Sequence, residues 1–375
     1  MSITKVTNDN IASLEASKLT GSFPSIDGSN LTNMTSFTKS SSDPATDTNP
    51  SGGTGTLWLN TTSGEMFCCT DATTNENVWY NVGGGEGDVG IFHGWGSIAG
   101  FCSGGPDTSN TIGKISYVTD GNATDHGDLS VARNRGAGQS STTHGYTSGG
   151  FPSGGQDVID KFLFTSNVTA SDVGNLTNGR RNGCGQSSTT HGYTSGGNPG
   201  ASNWIDKFSF SVDGNAVDVG DLLSAMEHGQ PQNSSTHGYV SGGSPGGVVT
   251  NRIQKFTFAS NANSTDVADL TVARGIGGGH SSISHGFVSG GNGSGGSTID
   301  KFTFESDTNS VDHGDLFVAV DYCNGSSSKT HGYNYGDDGA NQDQIQKFAT
   351  SSNTTGTDVG NLTQNHNLPT GNQQY

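Results

Sequence analysis

Five histidines recur along the chain at intervals of 46–48 residues: His144, His191, His237, His285 and His331, with Ala99 at the matching place upstream. Imidazoles can ligate a transition metal or move protons near neutral pH. Two charged series run in step with them. One is Lys114, Lys161, Lys207, Lys255, Lys301 and Lys347; the other is Asp125, Asp172, Asp218, Asp266, Asp312 and Asp358. A residue that appears once per structural unit stands far from its copies, so the histidines are read as packing and turn residues rather than a metal centre. The lysines are expected to pair with an Asp or a carbonyl of their own or the neighbouring unit, because half-buried charges are normally paired. Asp125-His126-Gly127-Asp128-Leu129 lacks the alternating oxygen ligands of a calcium loop and reads as a turn into a strand. Every copy carries Ser and His, so no nucleophile–base pair singles out a position. The expectation is a protein without catalytic residue, metal or cofactor.

Chemistry that differs between copies lies in the connecting segments. One set covers residues 106–111, 151–158, 198–204, 244–252, 292–298 and 338–344; the other includes 134–137, 179–183, 227–232 and 321–324. On antiparallel strands these two sets emerge at the same end of each unit. Loops on a rigid scaffold commonly carry binding function, and the candidates there are Phe151, Arg180, Arg181, Trp204, His228, Arg252 and Tyr322. Aromatic faces stack on sugar rings, and Arg offers paired planar donors.

The elements that must position these residues are short strands. The clearest copy reads His144-Gly145-Tyr146-Thr147-Ser148-Gly149-Gly150, then Ile159-Asp160-Lys161-Phe162-Leu163-Phe164, then Asp172-Val173-Gly174-Asn175-Leu176. Alternation places Phe162 and Phe164 on one face, with Ile159 and Leu163 on the other. Apolar residues on both faces fit a sheet covered on both sides by its neighbours. Six copies, each cut into four strands, predict an all-β chain folded as a six-bladed β-propeller. The predicted organisation is an attachment segment over residues 1–50, a small β-hairpin module with a Gly-rich hinge at 51–89, the propeller at 90–365 and a C-terminal tail at 366–375. How the ring closes stays open, including a strand shared across the closure.

The Gly-Gly pair ending the second strand, the repeat length and the four-strand grammar resemble the kelch-like propellers. The resemblance covers about three quarters of the chain and departs after the Gly pair, where Ile-Asp/Gln-Lys-Phe stands in place of the Tyr and Trp positions of that family.

Among 375 residues, 60 are Gly and 13% are charged, with a net charge of −18. That charge disfavours nucleic acid and anionic membranes as partners, and no stretch is apolar enough to span a bilayer. Met1-Ser2-Ile3-Thr4-Lys5 opens no secretion signal, so synthesis in a cytoplasm is expected. The cysteines, Cys68, Cys69, Cys102, Cys184 and Cys323, are odd in number and scattered, which predicts free thiols; Cys68 and Cys69 should face opposite ways. Residues 19–33 read Leu-Thr-Gly-x-x-Pro-x-Ile-Asp-Gly-Ser-x-Leu-Thr-Asn, and this run resembles the N-terminal part of tail-fibre proteins of bacteriophages, especially marine ones. Leu57-Trp58-Leu59-Asn60, Asp71-Ala72-Thr73 and Val78-Trp79 resemble short modules of the same proteins. The resemblance implies a virion fibre on the tail or capsid surface, a homotrimer attached to other virion proteins through residues 1–50. Its propeller would bind a host surface glycan or protein during adsorption. The alternative is a structural capsid-fibre, decoration or tail-appendage protein without a specific receptor.

Overall fold

The computed structural model describes residues 37–82, 96, 98–105, 109–152, 155–199, 202–293, 296–337, 339, 343–366 and 370–374. The run at 19–33 and the hinge at 83–87 lie outside them. The chain divides into two compact units near residue 91, and among the described residues no helix is long and apolar enough to cross a membrane.

The first unit is a four-stranded sheet of Phe37–Ser40, Leu57–Asn60, Met66–Asp71 and Val78–Asn81, with the first pair parallel and the others antiparallel. Phe67, Cys69 and Trp79 are buried, and Trp58 meets Trp79 edge-on at 5.8 Å. Cys68 is half-buried and Cys69 buried, so the adjacent thiols do face apart; all five cysteines are free. The boundary expected at residue 50 moves upstream. Phe37–Ser40 is a strand of this sheet, and polar side chains tie residues 41–49 to it: Trp58 Nε1 donates to Ser42 O, Asn60 Nδ2 to Asp43 Oδ1 and Asn77 Nδ2 to Thr46 O.

The second unit holds six antiparallel four-stranded sheets in sequence order. Sheet two is typical: Ala137–Ser140, His144–Ser148, Val158–Leu163 and Ser171–Asn175. Sheet one combines Ala99–Ser103, Thr111–Ser116 and Thr124–Asp128 with Thr370–Gln374, which pairs with Ala99–Ser103 as its first strand. The tail expected at 366–375 is thus corrected: most of it is a strand, and the two ends of the unit share one sheet.

Six apolar clusters lie between consecutive sheets. Tyr146, Ile159 and Leu176 of sheet two meet Phe208 and Ala216 of sheet three. Tyr333, Ile345 and Leu362 of sheet six meet Cys102 and Ile115 of sheet one. The Tyr146 ring stacks on Phe210 of the next sheet at 4.9 Å, and Tyr193 and Tyr239 repeat this contact on Phe258 and Phe304. Burying such rings is the main source of stability in the unit, about 1.5–3 kcal/mol per large apolar side chain. Gly145 lies within a strand. Its partner across the ladder is Phe162, and a Cβ on Gly145 would fall 2.2 Å from the Phe162 ring.

The first strands touch one another in a cycle that ends where it began. Each gives a backbone N–H to a side chain of the next: Ser140 to Ser187, Ser187 to Asn233, Asn233 to Ser281, Ser281 to Ser327, Ser327 to Gln373 and Gln373 to Ser140, all at 2.9–3.0 Å. Two residues before these donors stand Gly371, Gly138, Gly185, Pro231, Gly279 and Gly325. A Cβ on Gly185 would lie 2.1 Å from Gly138 O, so close backbone approach explains the glycines. One residue later, buried amides reach across to the neighbour: Gln139 to Tyr193 O, Gln186 to Tyr239 O, Gln232 to Phe287 O and Asn372 to Tyr146 O.

Candidate functional site

The two ends of the sheets differ. At one end the first and second strands join through a uniform turn. Ser141 Oγ accepts from the His144 N–H, and Thr143 Oγ1 bonds His144 Nδ1 at 2.8 Å. The same pair of bonds recurs at His191, His237, His285 and His331. Desolvation lowers the pKa of all five imidazoles. The lysines also lie at this end, and most reach the next sheet: Lys161, Lys255 and Lys347 pair with Asp213, Asp307 and Asp120, and Lys207 bonds Asn261. Lys114 and Lys301 sit over the rings of Phe101 and Phe287.

At the other end the connections diverge. Here the backbone enters the first strands of sheets two to six through a left-handed residue: Arg135, Asn182, His228, Ile276 and Tyr322, with φ of 52–61°. A β-branched residue such as Ile276 rarely adopts this conformation. It is held by a chain of bonds, Asn182 N–H to Arg135 O, His228 N–H to Asn182 O and Ile276 N–H to His228 O, at 2.9–3.0 Å. Behind these residues lies a narrow cavity of about 70 Å³ between the first strands, with Arg135, Asn182, His228 and Ile276 at its mouth.

Three of the expected binding residues meet here. Phe151 is half-buried, with the Arg181 guanidinium 5.1 Å and the Arg135 guanidinium 5.9 Å from its ring centre. The Glu227 carboxylate accepts from Asn182 Nδ2 and Asn198 Nδ2, both at 3.0 Å, and lies 3.4 Å from His228 Nε2. Burial lowers the His228 pKa; Glu227 opposes that shift, and Arg135 and Arg181 add to it. Asn182 Oδ1 and His228 Nδ1 are buried with no hydrogen-bond partner among the described residues.

The remaining candidates stand elsewhere. Tyr322 takes the equivalent left-handed place at the entry to sheet six and is half-buried. Trp204 is half-buried in a separate groove of about 220 Å³ with Asn178, Pro199 and Asn203. Arg252 is partly exposed, 3.4 Å from Asp266. Arg180, expected on the loop surface, is only 2% exposed: its guanidinium reaches Asp206 at 3.1 Å and donates to Thr194 O. Its neighbour Arg181 is the one that flanks the Phe151 ring. Arg135, Asn182 and Glu227 were missed as site residues, although all three fall in the divergent segments.

Among the described residues no group of three or more His, Cys, Asp or Glu is placed to hold a metal ion. Neither a family model nor a curated protein matches the chain.

Proposed function

We propose that the six sheets form a six-bladed β-propeller, and that the protein is a bacteriophage virion fibre protein whose propeller binds a host surface glycan or protein through its divergent end. The cyclic contacts of the first strands and the Thr370–Gln374 strand favour the propeller. The tail-fibre-like run at 19–33 favours the virion, with the N-terminal segment joining three copies to the particle. The observation that carries a binding role is the asymmetry of the sheets. One end repeats the same Ser–His turn five times, while the other presents different aromatic and cationic side chains at each junction. A rigid ring with one varied end is a scaffold for recognition rather than for chemistry. Copy number then multiplies weak contacts, raising apparent affinity about 10²–10⁴-fold.

The test is binding of the fluorescently labelled full chain to host cells, with envelope polysaccharide as competitor. Saturable binding that the polysaccharide or a protease treatment of the cells removes supports the reading. No binding, even from a multivalent display, replaces it with a structural role on the particle.

A further inference from the structure

Resting on the receptor-binding reading, we propose that the mouth formed by Arg135, Arg181, Asn182 and His228 holds an anionic sugar, one bearing a carboxylate or a phosphate beside free hydroxyls. The chain has two ways of housing an arginine between sheets. Arg133, Arg180 and Arg274 are each neutralised by a buried carboxylate, Asp160, Asp206 and Asp300. Arg135 and Arg181 have no carboxylate partner among the described residues; both instead flank the Phe151 ring, which orients a guanidinium without cancelling its charge. In a chain of net charge −18 this local excess of positive charge is an exception.

Glu227 is the carboxylate at this mouth, and it is already held by Asn182, Asn198 and His228. One carboxylate against two guanidinium groups leaves the mouth cationic with His228 neutral, its state under a lowered pKa. The neutral ring that donates Nε2–H toward Glu227 keeps a lone pair on Nδ1, and Asn182 Oδ1 is a second free acceptor; Asn182 is 8% exposed. Both residues line the same cavity as Arg135. The mouth therefore offers charged donors for an anion beside acceptors for hydroxyls. Bare phosphate or a neutral sugar would use only one half of that set.

The experiment is titration calorimetry of the full chain with oligogalacturonate, a phosphorylated mannan and maltohexaose, which separate carboxylate, phosphate and neutral sugars. The expected result is binding of at least one charged probe more than about tenfold tighter than maltohexaose, weakening as salt rises. Arg135→Asn keeps the left-handed backbone, as Asn182 does at the equivalent place, and Arg181→Gln keeps a planar polar group on the same stem without the charge. Each should weaken the charged probe about tenfold with an unchanged unfolding midpoint. Charged probes that bind no tighter than maltohexaose, or variants that bind them as well as the parent, overturn the inference. If host cells still bind the labelled chain in that case, the receptor-binding reading stands and this subsite falls.

Discussion

At the junction of sheets four and five, Arg274 reaches Asp300 at 2.7 Å, both fully buried, and Thr271 donates its hydroxyl to the same carboxylate at 2.6 Å. One junction earlier the equivalent residues are Met226, Gln254 and Leu223, and Gln254 Nε2 points at the Met226 sulfur. Ser130–Arg133–Asp160 and Thr177–Arg180–Asp206 follow the charged form. Phe317–Val320–Gln346 follows the neutral one, with Val318 N–H bonded to Gln346 Oε1. The backbone is the same in both, so an ion pair is not required for two sheets to meet. What the junctions share is that Arg and Asp come or go together; the junction of sheets six and one has His366 and Gly113 in their places, and keeps the hydroxyl as Thr363. A lone buried charge costs far more than the pair contributes.

The largest expected effect comes from separating the partners. Arg274→Met leaves Asp300 buried and uncompensated and should cost about 3–5 kcal/mol in urea unfolding. Adding Asp300→Gln recreates the junction of sheets three and four and should recover most of the loss. A double variant as unstable as the single one would show that the charge itself holds this junction together.

A second contrast sits nearer the first strands. The buried amide position is Gln139, Gln186 and Gln232 in three sheets but His280 in sheet five, where Nδ1 donates to Ser326 O and Nε2 accepts from Ser289 Oγ. Burial pushes its pKa down to about 4. A folded-state pKa below the unfolded value of about 6.5 means stability that is fully present above pH 6.5 and is lost as pH falls toward 4, by about 3 kcal/mol at most. His280→Gln restores the residue of the other sheets. It should reduce the fall in unfolding midpoint between pH 6.5 and 4, and the other histidines whose pKa burial lowers, His366 among them, account for what is left. An unchanged pH profile would show that His280 does not stay neutral in the folded chain.

Much of this architecture was legible because it repeats. The phased aromatic, Lys and Leu positions gave the strands and their two-sided burial, and the regular spacing of the histidines marked them as turn residues. The closing strand escaped notice because Thr370–Gln374 has no apolar residue. Its legible signal was Thr370-Gly371-Asn372-Gln373, which follows the same small–Gly–amide–polar grammar as Ala137-Gly138-Gln139-Ser140 and Cys184-Gly185-Gln186-Ser187. Arg180 reads as a surface cation from its own loop alone. Aligned across copies it falls with Arg133 and Arg274, each matched by an Asp in the next sheet and lost together with it at Met226 and Gln254. The cluster around Phe151 was only partly legible: divergence marks the right segments, but which of two adjacent arginines meets a buried carboxylate and which an aromatic ring depends on Asp206 and Phe151, distant in sequence.

The smallest effect is expected at the exposed counterpart of the buried pairs. Lys255 meets Asp307 at 2.6 Å, whereas Lys207 in the preceding sheet meets Asn261 at 3.3 Å. The chain therefore already contains the neutral form of this contact. Both Lys255 and Asp307 are in reach of water, with side chains 22% and 51% exposed. Their attraction is screened, and holding two flexible chains in one geometry opposes it. Asp307→Asn should lower stability by no more than about 1 kcal/mol at low salt, and by less as salt is raised. The contrast with Arg274→Met isolates burial as the cause, because both substitutions remove one charge from one Lys/Arg–Asp pair spanning the same two sheets. A loss at Asp307 as large as that at Arg274, and insensitive to salt, would mean that the outer pairs hold the sheets together as firmly as the buried ones.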